Sequence, residues 1–291
     1  MKKGLFILIA SILLSGCASS FKPITDVDLS PYKSLEYRSL IFQQEIDRKI
    51  VYSNGGASAG AQFGFIGALV GSIIDESVNS GLVKDAEKDM EPIRDALAGY
   101  DIKEQINVNF LSKLKSVKWA TKTQFSNISL AENKSNKAGA LDTQLDVITT
   151  FQFGTNFEYL EIKSFYSLRD SALASKPKKG KKSKAAKAIY QNVAIYNYAA
   201  NDLTDMNKEE RKAAWIADDA ASIKYAITTG SSQLADMIML DLNGGGVLTA
   251  EEREKTKRRK NRIIQMNDGT GRTIVRSANG SLIAASVLTI K

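Results

Sequence analysis

Three runs in the middle of the chain alternate apolar and polar residues with a period of two, and they restrict the fold more than any other feature. Leu145, Val147, Thr149, Phe151 and Phe153 mark the first. Leu160, Ile162, Ser164, Tyr166 and Leu168 mark the second, across a turn around Gly154 to Asn156. A third, residues 189–199 (IYQNVAIYNYA), follows after a loop. Successive side chains of a strand point to opposite faces, so this period calls for a sheet with one face against a core. A short turn makes the first two runs antiparallel neighbours.

Elsewhere the period is helical. Residues 83–117 carry Ile93, Leu97, Ile102, Ile106, Phe110, Leu111 and Leu114, and read as helices broken near Pro92 and Gly99. Asn207 to Leu242 repeats Trp215, Ile216, Ile223 and Ile227, then Leu234, Met237 and Ile238 after an expected break at Gly230. Residues 35–52 allow one or two strands, and Asn279-Gly280 is a preferred hairpin pair between two terminal strands. The expected class is therefore α+β: an antiparallel sheet with packed helices, preceded by a tether and a glycine-rich helix. A hydrophobic share of 43% and a charged share of 25% are those of a globular chain. The absence of histidine removes Ser-His and Cys-His nucleophiles and the commonest zinc sites.

The N-terminus carries the strongest functional signal. Lys2 and Lys3 precede an apolar run, Leu5 to Leu14, too short to cross a bilayer and suited to a cleaved export signal. It ends in Leu14-Ser15-Gly16-Cys17, which resembles the lipobox of bacterial lipoproteins. The resemblance implies that Cys17 receives a diacylglycerol, becomes the first residue after cleavage and is then N-acylated. Several acyl chains suffice for stable anchorage. In such lipoproteins an aspartate after the cysteine favours inner-membrane retention; Ala18 and Ser19 here imply a periplasm-facing protein of the outer membrane. The expected divisions are a signal peptide at 1–16, a lipidated tether at 17–33, a glycine-rich and helical region at 34–120, and an α+β region at 121–291. Export also excludes nucleic acid as a partner. The formal charge of +8 stays basic after loss of Lys2 and Lys3, so phosphates of lipid headgroups or carboxylates of cell-wall material are the expected anions.

No charge occurs between Lys49 and Asp75. On a helix Gly56, Gly60, Gly64, Gly67 and Gly71 fall within a stripe about 80° wide, which resembles a glycine zipper. Such a stripe lets helices approach closely and implies membrane insertion or self-association; a glycine-rich helix packed on the protein's own core accounts for the same residues. The stripe followed by residues 92–101 (PIRDALAGYD) is similar to Gram-negative lipoproteins without an assigned activity. Lysines 176, 178, 179, 181, 182, 184 and 187 crowd a loop between the second and third alternating runs, either for solubility or for contact with anionic surfaces.

Residues 241–252 (DLNGGGVLTAEE) resemble the calcium loop of an EF-hand. The resemblance implies side-chain ligands from Asp241, Asn243 and Glu252, the backbone carbonyl of Val247, and Thr249 through water, with Gly246 at the sharp turn. Gly245 stands where a ligand oxygen is usual and Arg253 where an apolar residue is usual, so any calcium site is weak. The competing reading is a helix closed by glycine, with a second helix capped at Thr249. The function expected from these features is non-enzymatic: envelope structure or assembly through an envelope protein or cell-wall partner, with the membrane reached through the lipid anchor. The alternatives are a glycine-zipper membrane oligomer formed by self-association and a calcium-dependent binding or adhesion module. An envelope hydrolase is a more distant alternative.

Overall fold

A computed structural model describes residues 23–41, 43, 45–49, 80–127, 141–171, 188–200, 203, 205–245, 262–265, 273–277 and 280–288. The signal peptide, Cys17, the glycine stripe, the lysine loop and residues 246–252 lie outside these described residues.

Among the described residues nine strands form a single mixed sheet. They are β1 (Ser34–Leu40), β2 (Asp47–Arg48), β3 (Lys122–Asn127), β4 (Thr143–Phe153), β5 (Tyr159–Asp170), β6 (Ala188–Ala200), β7 (Arg262–Gln265), β8 (Thr273–Arg276) and β9 (Leu282–Leu288). The order is β3-β1-β4-β5-β6-β9-β8-β7, with β2 beside β4 past the end of β1. The three alternating runs are β4, β5 and β6, paired antiparallel as their spacing requires. The expected wholly antiparallel sheet is corrected at its flanks, because β1 is parallel to β3 and β4, β2 is parallel to β4, and β9 is parallel to β6. Hairpin loops dictate antiparallel pairing only between consecutive strands; the pairs β1–β3, β1–β4 and β6–β9 join strands far apart in sequence, which leaves direction to packing. The terminal hairpin is present as β8 and β9, closed by Gly280 N–H to the Ser277 carbonyl and Ser277 N–H to the Ser281 carbonyl.

Three helices, α1 (Ser80–Ala96), α2 (Ile102–Leu114) and α3 (Lys208–Leu242), pack on one face of this sheet. That face presents Leu35 and Tyr37 of β1, Leu145, Val147, Phe151 and Phe153 of β4, Leu160, Ile162, Tyr166 and Leu168 of β5, and Tyr196 and Tyr198 of β6, all buried in the core. Tyr37 stacks on Phe110 of α2 and on Phe125 of β3 at 5.5 and 5.4 Å between ring centroids. Helix α2 begins at Asp101, whose carboxylate accepts from the Glu104 N–H, and α3 begins at a capping box between Asn207 and Glu210. Partners along α2 advance with partners along α3: Tyr100 meets Lys224 and Thr228, Asn109 meets Thr228 and Ser231, and Lys113 meets Asp236. The two helices therefore run parallel.

Two breaks differ from expectation. Pro92 does not end a helix, because α1 runs on through it with Ala86, Met90 and Ile93 buried along one face. Gly230 does not break α3 either. It lies where the helix presses on the sheet, and a Cβ there would sit 2.7 Å from Ile162 Cδ1 and 2.8 Å from Tyr196 Cδ1. The break lies instead at 217–220, where Asp218, Asp219 and Ala220 take left-handed φ values of +52°, +57° and +54°. The turn allows Trp215 before it and Ile223 after it both to reach the core. Inside the stretch expected as tether, Ile24 is buried in the core and Val27 and Leu29 pack against it.

Candidate functional site

The end of α3 holds the first two residues of the loop that resembles a calcium site. Asp241 is wholly buried, facing the sheet. Its Oδ2 accepts from the hydroxyls of Tyr166 and Tyr190, each at 2.5 Å, and from Asn192 Nδ2 at 3.0 Å, while Oδ1 lies 2.8 Å from Arg276 Nη2. Arg276 also donates to the carbonyls of Gly245 and Gly280. Burial first, and then the Asp241 charge, push the hydroxyls of Tyr166 and Tyr190 well above the ordinary tyrosine range, so both stay protonated and donate. The carboxylate thus ties α3 to β5 and β6 as an acceptor and to β8 through an ion pair, its counter-charge being a protein guanidinium.

Asn243 closes the helix with its side chain. Its Oδ1 accepts from Lys118 N–H at 2.8 Å and its Nδ2 donates to the Ser116 carbonyl at 2.9 Å, tying the helix end to the α2–β3 connection. Gly244 follows at φ +75°, and Gly245 N–H returns to the Leu240 carbonyl, the geometry of a glycine-terminated helix. Of the five residues expected to ligate calcium, the structure brings Asp241 and Asn243 to one helix end but turns their side chains to protein partners; Val247, Thr249 and Glu252 lie outside the described residues. Among the described residues no group of three or more acidic or cysteine side chains converges as a metal site.

Two further carboxylates were not singled out from sequence, because their partners come from distant strands and helices. Asp89 of α1 meets Lys208, Arg48 Nε at 3.3 Å and Lys212 Nζ at 3.8 Å, where α1, β2 and the start of α3 converge. Asp146 of β4 lies on the sheet face opposite the helices, 3.0 Å from both Arg38 Nε and Arg169 Nε. Burial raises the Asp146 carboxyl above its ordinary range, with the two arginines opposing that shift. Gln144 joins Arg38 to Glu36, which accepts from Ser126 on the edge strand, so a polar ladder crosses β3, β1, β4 and β5.

The same face then turns apolar. Cross-strand pairing aligns Ile148, Phe165 and Val193, and in the next row Lys163, Ile195, Ile283 and Val275. Lys163 Nζ lies 4.5 Å from the Phe165 ring centroid, and burial lowers its pKa, partly offset by Glu161. Asn197, one row further, is buried with Oδ1 unpaired. The alternation of β4 to β6 forecast which residues face the helices; that the second face also carries buried residues was not legible, since those positions read as the polar half of each strand.

Comparison with protein-family models, with curated proteins and with solved structures finds no match for this chain. The geometry therefore defines a class, an α+β protein with a largely sheet core and three helices, and function has to be argued from its residues.

Proposed function

We propose that the protein is a lipoprotein of the outer membrane, facing the periplasm, with a non-enzymatic role in envelope structure or assembly. The observation that carries this reading is the lipobox Leu14 to Cys17 at the end of a short apolar run that follows Lys2 and Lys3. An acylated Cys17 supplies the anchor and the α+β body supplies the contact surface. The chemistry of the body fits this role: the buried carboxylates of Asp89, Asp146 and Asp241 each face the protein's own cations and hold elements together.

Metabolic labelling with radioactive palmitate should mark the wild-type protein and not Cys17→Ser, and the wild type should fractionate with outer membranes. Equal labelling of both would end the anchor reading. Crosslinking in cells should then yield a discrete adduct with an envelope protein or with cell-wall material. A ladder of the protein's own multiples would favour assembly through the glycine stripe instead.

A further inference from the structure

The end of the body at which the chain enters the sheet is built from segments that the side-chain contacts tie together. Ile24 to Asp26 lie against the end of α3, where a Cβ on Gly244 would be 3.0 Å from Thr25 Cγ2. Asn243 holds Ser116 and Lys118, and Trp119 Nε1 donates to the Leu242 carbonyl. The Lys33 carbonyl accepts from the N–H groups of Thr121 and Lys122. Four lysines of these segments, Lys33, Lys115, Lys118 and Lys122, are exposed, and none forms an ion pair among the described residues. The acids nearby include Asp26, Asp28 and Asp142, all exposed, and Asp170, which accepts from the Tyr32 hydroxyl. Asp28 is folded onto Ser30, and Asp142 onto the backbone N–H groups of Lys33 and Ser34, which hold both carboxyls below the usual carboxylate range. The short acids are thus drawn into turns, and the long lysine side chains are free to reach outward.

We infer that this end, with Lys33, Lys115, Lys118, Lys122 and Trp119, is the surface the protein lays against the phospholipid headgroups of its membrane. The inference rests on acylation of Cys17 and then on length. Six residue steps from Cys17 to Pro23 reach at most about 20 Å. Strand β5 has 12 residues, so the sheet is about 40 Å long. The far end, with the β4–β5 turn and the 217–220 break in α3, cannot be the end that faces the bilayer while Pro23 and Ile24 remain packed at the near end, because a near end about 40 Å away is beyond the reach of the tether. The ammonium groups then meet lipid phosphates, and each lysine close to an anionic surface contributes about fivefold in affinity.

The test uses the lipidated full chain in vesicles of phosphatidylcholine with phosphatidylglycerol. Cys17 is the chain's one cysteine and is acylated, so a single introduced cysteine takes a spin label cleanly. A label at Lys118→Cys should be relaxed strongly by a nickel-chelating lipid, and one at Asp218→Cys, at the far end, weakly. Mass spectrometry of Cys17 in the same sample separates the two levels of the argument. An unacylated Cys17 overturns the anchor reading and this inference with it. An acylated Cys17 with equal relaxation at 118 and 218, or stronger relaxation at 218, overturns the orientation alone. As a second measurement, changing all four lysines to glutamate in unlipidated Cys17→Ser protein should weaken binding to the anionic vesicles at least about tenfold. Unchanged binding with an unchanged circular dichroism spectrum would overturn the headgroup contact.

Discussion

Asp241 shows how a residue's surroundings decide its chemistry. In sequence it opens a calcium-like loop; in the fold it accepts from two tyrosines and an asparagine and forms an ion pair with an arginine. Removing Arg276 leaves this buried carboxylate without its cation, so Arg276→Ala should cost about 3–5 kcal/mol in a denaturant titration. An Arg276→Ala variant within 1 kcal/mol of wild type would contradict the assigned pairing. Calcium at residues 241–252 would require Asp241 to leave these partners. Calorimetric titration of calcium should accordingly give no saturating heat below a few millimolar that Glu252→Gln abolishes. Lys163 works in the opposite sense. Its pKa is lowered in the folded protein, so the unfolded chain holds the extra proton between the folded value and the ordinary lysine value. Stability from this group therefore rises with pH through that window, and the charge is a burden below it. Lys163→Met should raise the free energy of unfolding at pH 7 by on the order of 1 kcal/mol, read as a higher midpoint, and flatten the alkaline slope. A lowered midpoint would show that the contact with Phe165 outweighs desolvation.

At the scale of elements, α3 decides most of the packing. Its glycine at 230 is set by the sheet, not by the helix. Alanine has the better helix propensity by about 1 kcal/mol, yet Gly230→Ala drives a methyl into Ile162 and Tyr196 and should cost about 1–3 kcal/mol net. A stabilised alanine variant would mean that the helix can lift off the sheet without loss. The left-handed residues 218–220 are a second element-level feature, since each non-glycine residue there bears about 1–2 kcal/mol of steric cost. Asp219→Val should therefore be at least about 1 kcal/mol less stable than Asp219→Gly in thermal melts. Equal stabilities would argue that α3 is continuous in solution.

For the whole molecule, the regions expected at 34–120 and 121–291 share one core. Strand β1 lies between β3 and β4, and α2 lies against α3. Neither region can keep its apolar face covered without the other, so unfolding should be a single cooperative transition, coincident by near-UV and far-UV circular dichroism. Two separated transitions would show that the two regions unfold independently.

The sequence by itself determined β4, β5 and β6, the helical character of 83–114 and 207–242, and the terminal hairpin. Each of these rests on local periodicity or turn chemistry, which a short window of residues contains. It also contains the lipobox of the proposed anchor, a linear signal read in extended form. Only the tertiary structure decided that β1 and β9 pair parallel, that Gly230 is a contact and not a break, that Ile24 belongs to the core, and that Asp241 faces Arg276. These depend on residues tens of positions apart, whose approach no local period records, and on burial, which gives an aspartate or a lysine its chemistry only after the chain has closed around it.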